Sequence, residues 1–84
     1  MQENDVFNAI VRNINEVIPE LENHEYKYSD RLVDLGANSI DRAEIVTLTL
    51  EDLSLNIPRV ELFGVKSIGE LSTAIYEKYR SLIK

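Results

Sequence analysis

The chain has 84 residues, 44% of them hydrophobic and 29% charged, and a formal net charge of −6 at pH 7; so short a chain cannot divide into two units that each bury a core, so one domain over residues 1–84 is expected. The acidic balance repels phosphate backbones and anionic lipid surfaces, which argues against nucleic-acid and membrane partners and favours encounter with basic patches on other proteins. With no cysteine and a single histidine, His24, disulfides, thiolate sites and histidine metal clusters are excluded.

In the first segment Val6, Phe7, Ile10, Val11, Ile14, Val17 and Ile18 recur at spacings of three and four, the signature of one apolar helix face. Asn4 or Asp5 can accept from the free amides at its start and Pro19 ends it, which predicts a helix near residues 5–18. Residues 19–38 are too long for an ordinary connection and carry apolar anchors at Leu21, Tyr26, Tyr28, Leu32, Val33 and Leu35, as a functional or self-packed loop does. Within it, "SDRLVDLG" predicts one helical turn stopped by Gly36.

From Asn38 or Ser39 to Leu53 the pattern is helical again, with both residues plausible caps and Asp41 suited to the positive end of the dipole. "NIPRVELFG" then predicts a short third helix from Arg59 to Phe63. The fourth opens on "SIGE", a capping box from Ser67 to Glu70, and runs on through Ile68, Leu71, Ile75, Tyr79 and Leu82. No segment alternates with strand period, so the expected class is all-α: a small four-helix bundle with three long helices and one short third helix. No apolar run approaches the ~20 residues that span a bilayer, and "MQENDVF" lacks the regions of a signal peptide, so a cytoplasmic protein is expected.

At about 100° per residue, Ile45, Val46, Thr49, Leu50 and Leu53 fall within one arc of the second helix, its core face. Asp41, Glu44 and Glu51 lie opposite, together with Ile40, Thr47 and Leu48. Carboxylates alone on that face would be a solvated surface; apolar groups ringed by charge are what a protein-docking surface needs.

Ser39 sits between a glycine turn and this acidic helix. Taken alone, a serine at a helix start is most often an N-cap. Asn38 can fill the cap instead, leaving the Ser39 hydroxyl accessible beyond the small Gly36 and Ala37, with helix amides behind it that favour an attached anion. A nucleophilic role needs a base within reach, and "DLGANSI" is not the G-x-S-x-G elbow. No catalytic site and no metal site is expected.

"LVDLGANSIDRAEIV", followed by "EDLSLNIP" and "SIGELSTAI", resembles an acyl carrier protein over most of the chain. The family pattern of a leucine-glycine turn, a residue before the modified serine, that serine and an apolar residue is held here by Leu35, Gly36, Asn38, Ser39 and Ile40. The resemblance implies that Ser39 carries 4′-phosphopantetheine, added by a separate phosphopantetheinyl transferase, and that the protein is a carrier rather than an enzyme. It further implies that Ile40, Asp41, Glu44, Leu48 and Glu51 meet partner enzymes, among them an acyltransferase, a ketosynthase or a hydroxymethylglutaryl-synthase-like enzyme, and that the carrier is a monomer. It implies too that medium-length acyl chains fold back between the helices into a cleft lined by Val46, Leu50, Leu62, Val65 and Ile68, with plain core packing as the alternative for these five. Asn38 departs from the aspartate usual in fatty-acid and polyketide carriers, keeping the capping ability without the charge.

"GANSIDRAEIV" and "IPRVELFGVKSI" are similar to discrete carriers of bacterial polyketide pathways, some of which hold malonyl and then acetyl groups for β-branching cassettes. A fatty-acid carrier and a peptidyl or aminoacyl carrier are the neighbouring alternatives. A helical interaction module without a prosthetic group, in which Ser39 only caps, is the alternative of another class.

Overall fold

The computed structural model describes residues 1–62 and 64–82. Three α-helices, α1 (Glu3–Val17), α2 (Ser39–Asp52) and α3 (Ile68–Leu82), are joined by connections that each contain a 3₁₀ turn, Pro19–Leu21 and Arg59–Leu62. Among the described residues the only extended pairing is one isolated bridge between Arg31 and Ser67. The short third helix expected over Arg59–Phe63 is thus a four-residue 3₁₀ turn, with Phe63 outside the described residues.

Helix α1 starts two residues before the position its apolar period predicts. Gln2, not Asn4 or Asp5, stands at the cap, and Asp5 in the first turn accepts the Gln2 N–H at 2.8 Å. The carboxylate therefore works from the third helical position, where the dipole also favours it. At the other end the Ile18 N–H still reaches the Ile14 carbonyl at 2.8 Å before Pro19 turns the chain.

The core is read directly from the three-and-four spacing: Val6, Ile10 and Ile14 from α1, Ile45 from α2, and Ile68 and Ile75 from α3 are each fully buried. Each such side chain contributes roughly 1.5–3 kcal/mol relative to exposure. Helix α1 packs against both α2 and α3, which share no close backbone approach with each other among the described residues. The Arg59–Leu62 turn bridges them instead, with Leu62 buried beneath it. A cleft lies between the two helices beside this turn, while Ile45 and Leu50 of α2 share the core with Ile68, Leu71 and Ile75 of α3.

The long loop is pinned at several points. Tyr26 Oη donates to Asn15 Oδ1 at 2.7 Å, and Tyr28 stacks on Phe7 with ring centroids 4.6 Å apart. The Ile68 N–H donates to the Asp30 carbonyl at 2.8 Å and the Gly69 N–H to the Tyr28 carbonyl at 2.9 Å. Only a glycine allows that approach, because a Cβ at position 69 would stand 2.8 Å from the Tyr28 oxygen. The expected turn ending at Gly36 is present: the Ala37 N–H closes on the Leu32 carbonyl and the Gly36 N–H on that of Val33, with Gly36 at φ +96°. That pairing is a Schellman motif.

Helix α2 ends the same way with a less suitable residue. Ser54 occupies the left-handed position at φ 55°, while the Leu55 N–H reaches the Leu50 carbonyl at 2.9 Å. One turn earlier, the buried Asn13 of α1 reaches into the end of α2, its Nδ2 lying 2.9 Å from Asp52 Oδ2 and 3.2 Å from Thr49 Oγ1. Arg12 meets the same Asp52 oxygen at 3.2 Å. The Asn13 hydrogen bond, and after it the Arg12 guanidinium, outweigh partial burial and hold the Asp52 carboxyl below the usual carboxylate range.

Replacing Ser54 by glycine removes the Cβ penalty of the left-handed conformation at some cost in chain entropy, with an expected net gain of about 0.5–1 kcal/mol. This is read as a higher urea midpoint at unchanged slope; a lower midpoint would show that the serine side chain contributes more than its backbone angle costs. The Asp52 network generates a pH dependence. A carboxyl whose pKa is lower folded than unfolded stabilises the fold above the unfolded value of ~3.9 and loses that contribution as pH falls through the folded value. Urea midpoints of wild type and Asp52→Asn, followed from about pH 6 down to about pH 2, are therefore expected to converge as the medium becomes acidic. Parallel curves would remove Asp52 as the titrating group.

Candidate functional site

Ser39 is the first residue of α2, and Asn38 is its cap. The Asn38 Oδ1 accepts the Asp41 N–H at 2.8 Å, and the Asp41 carboxylate accepts the Asn38 N–H at 3.3 Å. This reciprocal box resolves the choice the sequence leaves open between Asn38 and Ser39. The Ser39 side chain is exposed, and among the described residues neither its hydroxyl nor the Ser39 and Ile40 amides have a hydrogen-bond partner. A free hydroxyl with two free amides at the positive end of a helix is suited to a covalently attached anion.

Among the described residues no base is hydrogen-bonded to this hydroxyl. His24 lies in the long loop, its Nε2 3.0 Å from Asp30 Oδ2, and makes no hydrogen bond to Ser39. The Lys27 backbone N–H and then His24 lower the Asp30 carboxyl below the ordinary range, so this pair ties the loop to itself. No group of three potential metal ligands occurs among the described residues.

The predicted docking residues lie where the helical period puts them. Ile40, Glu44, Leu48 and Glu51 share one stripe, spread over about 80° of the helix circumference. Ile40 is 75% exposed, Glu44 and Glu51 are exposed, and Leu48 is half-buried. Asp41 stands at the edge of the stripe and also serves in the capping box. Val33, expected as an apolar anchor of the loop, is instead exposed, and a further exposed apolar residue, Val60 in the second 3₁₀ turn, was not singled out from the sequence. The signal for Val60 is the shortness of its element, because a single turn buries only one of its apolar residues, here Leu62.

Beside Ser39 opens a cleft of about 300 Å³ between α2, the second 3₁₀ turn and α3. Of the five residues expected to line it, Val46, Leu62 and Val65 do so, whereas Leu50 and Ile68 are turned into the core. Leu32 and Leu71 complete the apolar wall, and Arg42 and Arg59 supply the polar one. The Arg42 guanidinium donates to the Ala37 carbonyl and that of Arg59 to Thr47 Oγ1, each at 3.0 Å. Neither arginine was picked out from the sequence, since they stand seventeen positions apart on different elements.

Comparison with known proteins agrees with this geometry. Residues 8–75 match the phosphopantetheine attachment site family. The chain is 54% identical over 81 residues to the polyketide biosynthesis acyl-carrier-protein AcpK of Bacillus subtilis (strain 168), covering 96% of this chain and 99% of that one. Its fold superposes with a TM-score of 0.86 on a chain from the crystal structure of the curacin biosynthetic pathway HMG synthase in complex with acetyl donor-ACP. That match has 45% identity and covers 89% of this chain and 96% of the other. With a family match over most of its length and an all-helical fold that presents a free serine at a helix start, the chain belongs to the phosphopantetheine attachment site family and is an acyl carrier protein.

Proposed function

We propose that Ser39 is the attachment residue, esterified through Oγ to 4′-phosphopantetheine by a separate phosphopantetheinyl transferase that uses coenzyme A. The observation that carries this reading is the division of labour at the start of α2: Asn38 does the capping, so the neighbouring hydroxyl is exposed and unengaged. When bound, the group supplies a terminal thiol on which acyl groups are held as thioesters. The chain has no cysteine of its own to offer.

The residues of the chain hold, present and orient. The free Ser39 and Ile40 amides face an anion at the attachment point, and the α2 stripe is the surface that successive enzymes meet. Glu44 and Glu51 steer a basic partner, while Ile40 and Leu48 lose water on contact. The two relatives support a polyketide setting, one by its name and the other by its complex. We take the chain to serve bacterial polyketide biosynthesis as the acyl donor for a hydroxymethylglutaryl-synthase-like enzyme in β-branching, loaded and processed by an acyltransferase and a ketosynthase. Malonyl and acetyl are the expected cargoes.

Intact-protein mass spectrometry after incubation with coenzyme A and a broad-specificity phosphopantetheinyl transferase tests the attachment. Wild type is expected to gain one phosphopantetheine and Ser39→Ala none; a gain in the variant would move the attachment elsewhere. The docking stripe is tested by the double charge reversal Glu44→Lys with Glu51→Lys. Its kcat/KM with the transferase is expected to fall about tenfold with the melting temperature within a few degrees of wild type. An unchanged kcat/KM would remove the stripe from transferase recognition.

A further inference from the structure

Four of the nine lysines and arginines of this acidic chain gather beside Ser39. Arg42 and Arg59 line the cleft that includes Ser39, and Arg31, Arg42 and Lys66 line an adjoining depression that shares Arg42 and Val65 with it. They come from the long loop, α2, the second 3₁₀ turn and the segment before α3, so the fold alone brings them together. Fifteen carboxylates are present in the chain, yet among the described residues neither Arg42 nor Arg59 meets one. Arg31 has only Asp34, at 3.9 Å. Like charges kept together without counterions repel one another, and guanidinium pairs are matched in shape to a carboxylate.

The two arginines share the lining of this cleft with the apolar side chains of Val46, Leu62 and Leu71. Such a site suits a ligand with an apolar body and an anionic end. A phosphodiester on Ser39 needs neither the apolar lining nor Arg59 from another element, because it already has the free amides of the first turn. We propose that the cleft seats an acyl group ending in a free carboxylate, a dicarboxylic half-thioester. Arg42 and Arg59 hold the carboxylate, and Arg31 and Lys66 add to the positive field. This rests on Ser39 being the loaded residue. The carrier would then distinguish cargoes by charge, sheltering a dicarboxylic chain and leaving a neutral short chain free for its partners.

The test compares the holo-protein loaded with malonyl, with acetyl and with butyryl, the last a neutral chain of similar length. In malonyl-loaded protein carrying ¹³C at the free carboxyl, that carboxyl is expected to titrate at least about half a pH unit below the same group on free malonyl-pantetheine. The Arg42 and Arg59 Nε–H signals should shift in the malonyl form and stay in place in the acetyl and butyryl forms. Arg59→Gln and Lys66→Gln, neither of which touches the α2 cap, should each reduce the titration shift, and Arg42→Gln with Arg59→Gln should abolish it while the helical circular dichroism is retained. A malonyl carboxyl that titrates as in the free compound overturns the proposal while leaving the carrier reading intact. Arginine signals that respond equally to all three forms would identify the phosphodiester as the bound anion and overturn it too. Failure to gain any mass on loading would end both readings.

Discussion

The position of Ser39 depends on the hydrogen bonds by which the long loop is strapped to the start of α3. The first N–H groups of a helix have no partner within it. In α3 the loop supplies them: the Asp30 carbonyl takes the Ile68 N–H, the Tyr28 carbonyl takes that of Gly69, and the Ser67 hydroxyl takes that of Glu70 at 3.1 Å. A buried helix end is thus satisfied by a segment with no regular structure of its own, and each half fixes the other. From Asp30 the chain has only the turn closed at Gly36 before it reaches Asn38, so the strap determines where α2 begins. Gly69 is the narrowest part of this arrangement, since the loop backbone lies where any larger residue would put its Cβ.

Two opposite electrostatic surfaces follow from where α2 then runs. Its outer stripe is acidic and carries most of the apolar exposure of the helix, while the side toward the second 3₁₀ turn meets arginines. A net charge of −6 describes neither surface. The outer stripe is the surface proposed to attract partners, whereas the cleft beside the serine carries Arg42 and Arg59, which among the described residues pair with no carboxylate. The reach of such fields is about 8–10 Å in salt at cellular strength, comparable to the width of one helix, so the two faces act separately.

The three long helices were legible because each carries an apolar face repeated over four turns, and no competing strand period interferes. Their ends were less so. Asp5 reads as a cap because caps and first-turn acids use the same residue types, and only the position of Gln2 tells them apart. The 3₁₀ geometry of Arg59–Leu62 was hidden because four residues cannot display a period. At the site, Ser39 and the α2 stripe were readable as local pattern, and the resemblance to acyl carriers supplied the role that pattern alone left open. The cationic cleft was not readable at all. It is assembled from residues 42 and 59, with 31 and 66 in the adjoining depression, and their proximity is a product of the loop strap and the second 3₁₀ turn.

Helix α2 is held differently at its two ends, and this bears on how one short surface can serve several enzymes. At its C-terminal end the Asn13, Thr49 and Asp52 network joins it to α1 through buried or partly buried hydrogen bonds. Removing one member of such a network leaves the others unsatisfied, so that end moves only with α1. At the N-terminal end the holding contacts are the exposed capping box and the Arg42 bond to the Ala37 carbonyl. Exposed hydrogen bonds exchange readily with water and cost little to rearrange. Helix α2 is therefore held more firmly at its far end than at the exposed capping box beside Ser39, and under the proposed docking role it is this box that could rearrange on contact. Arg42 is tied to the turn before α2 by a part-buried hydrogen bond to the carbonyl of Ala37, itself a core residue, so the side of the cleft that it lines is anchored through that turn.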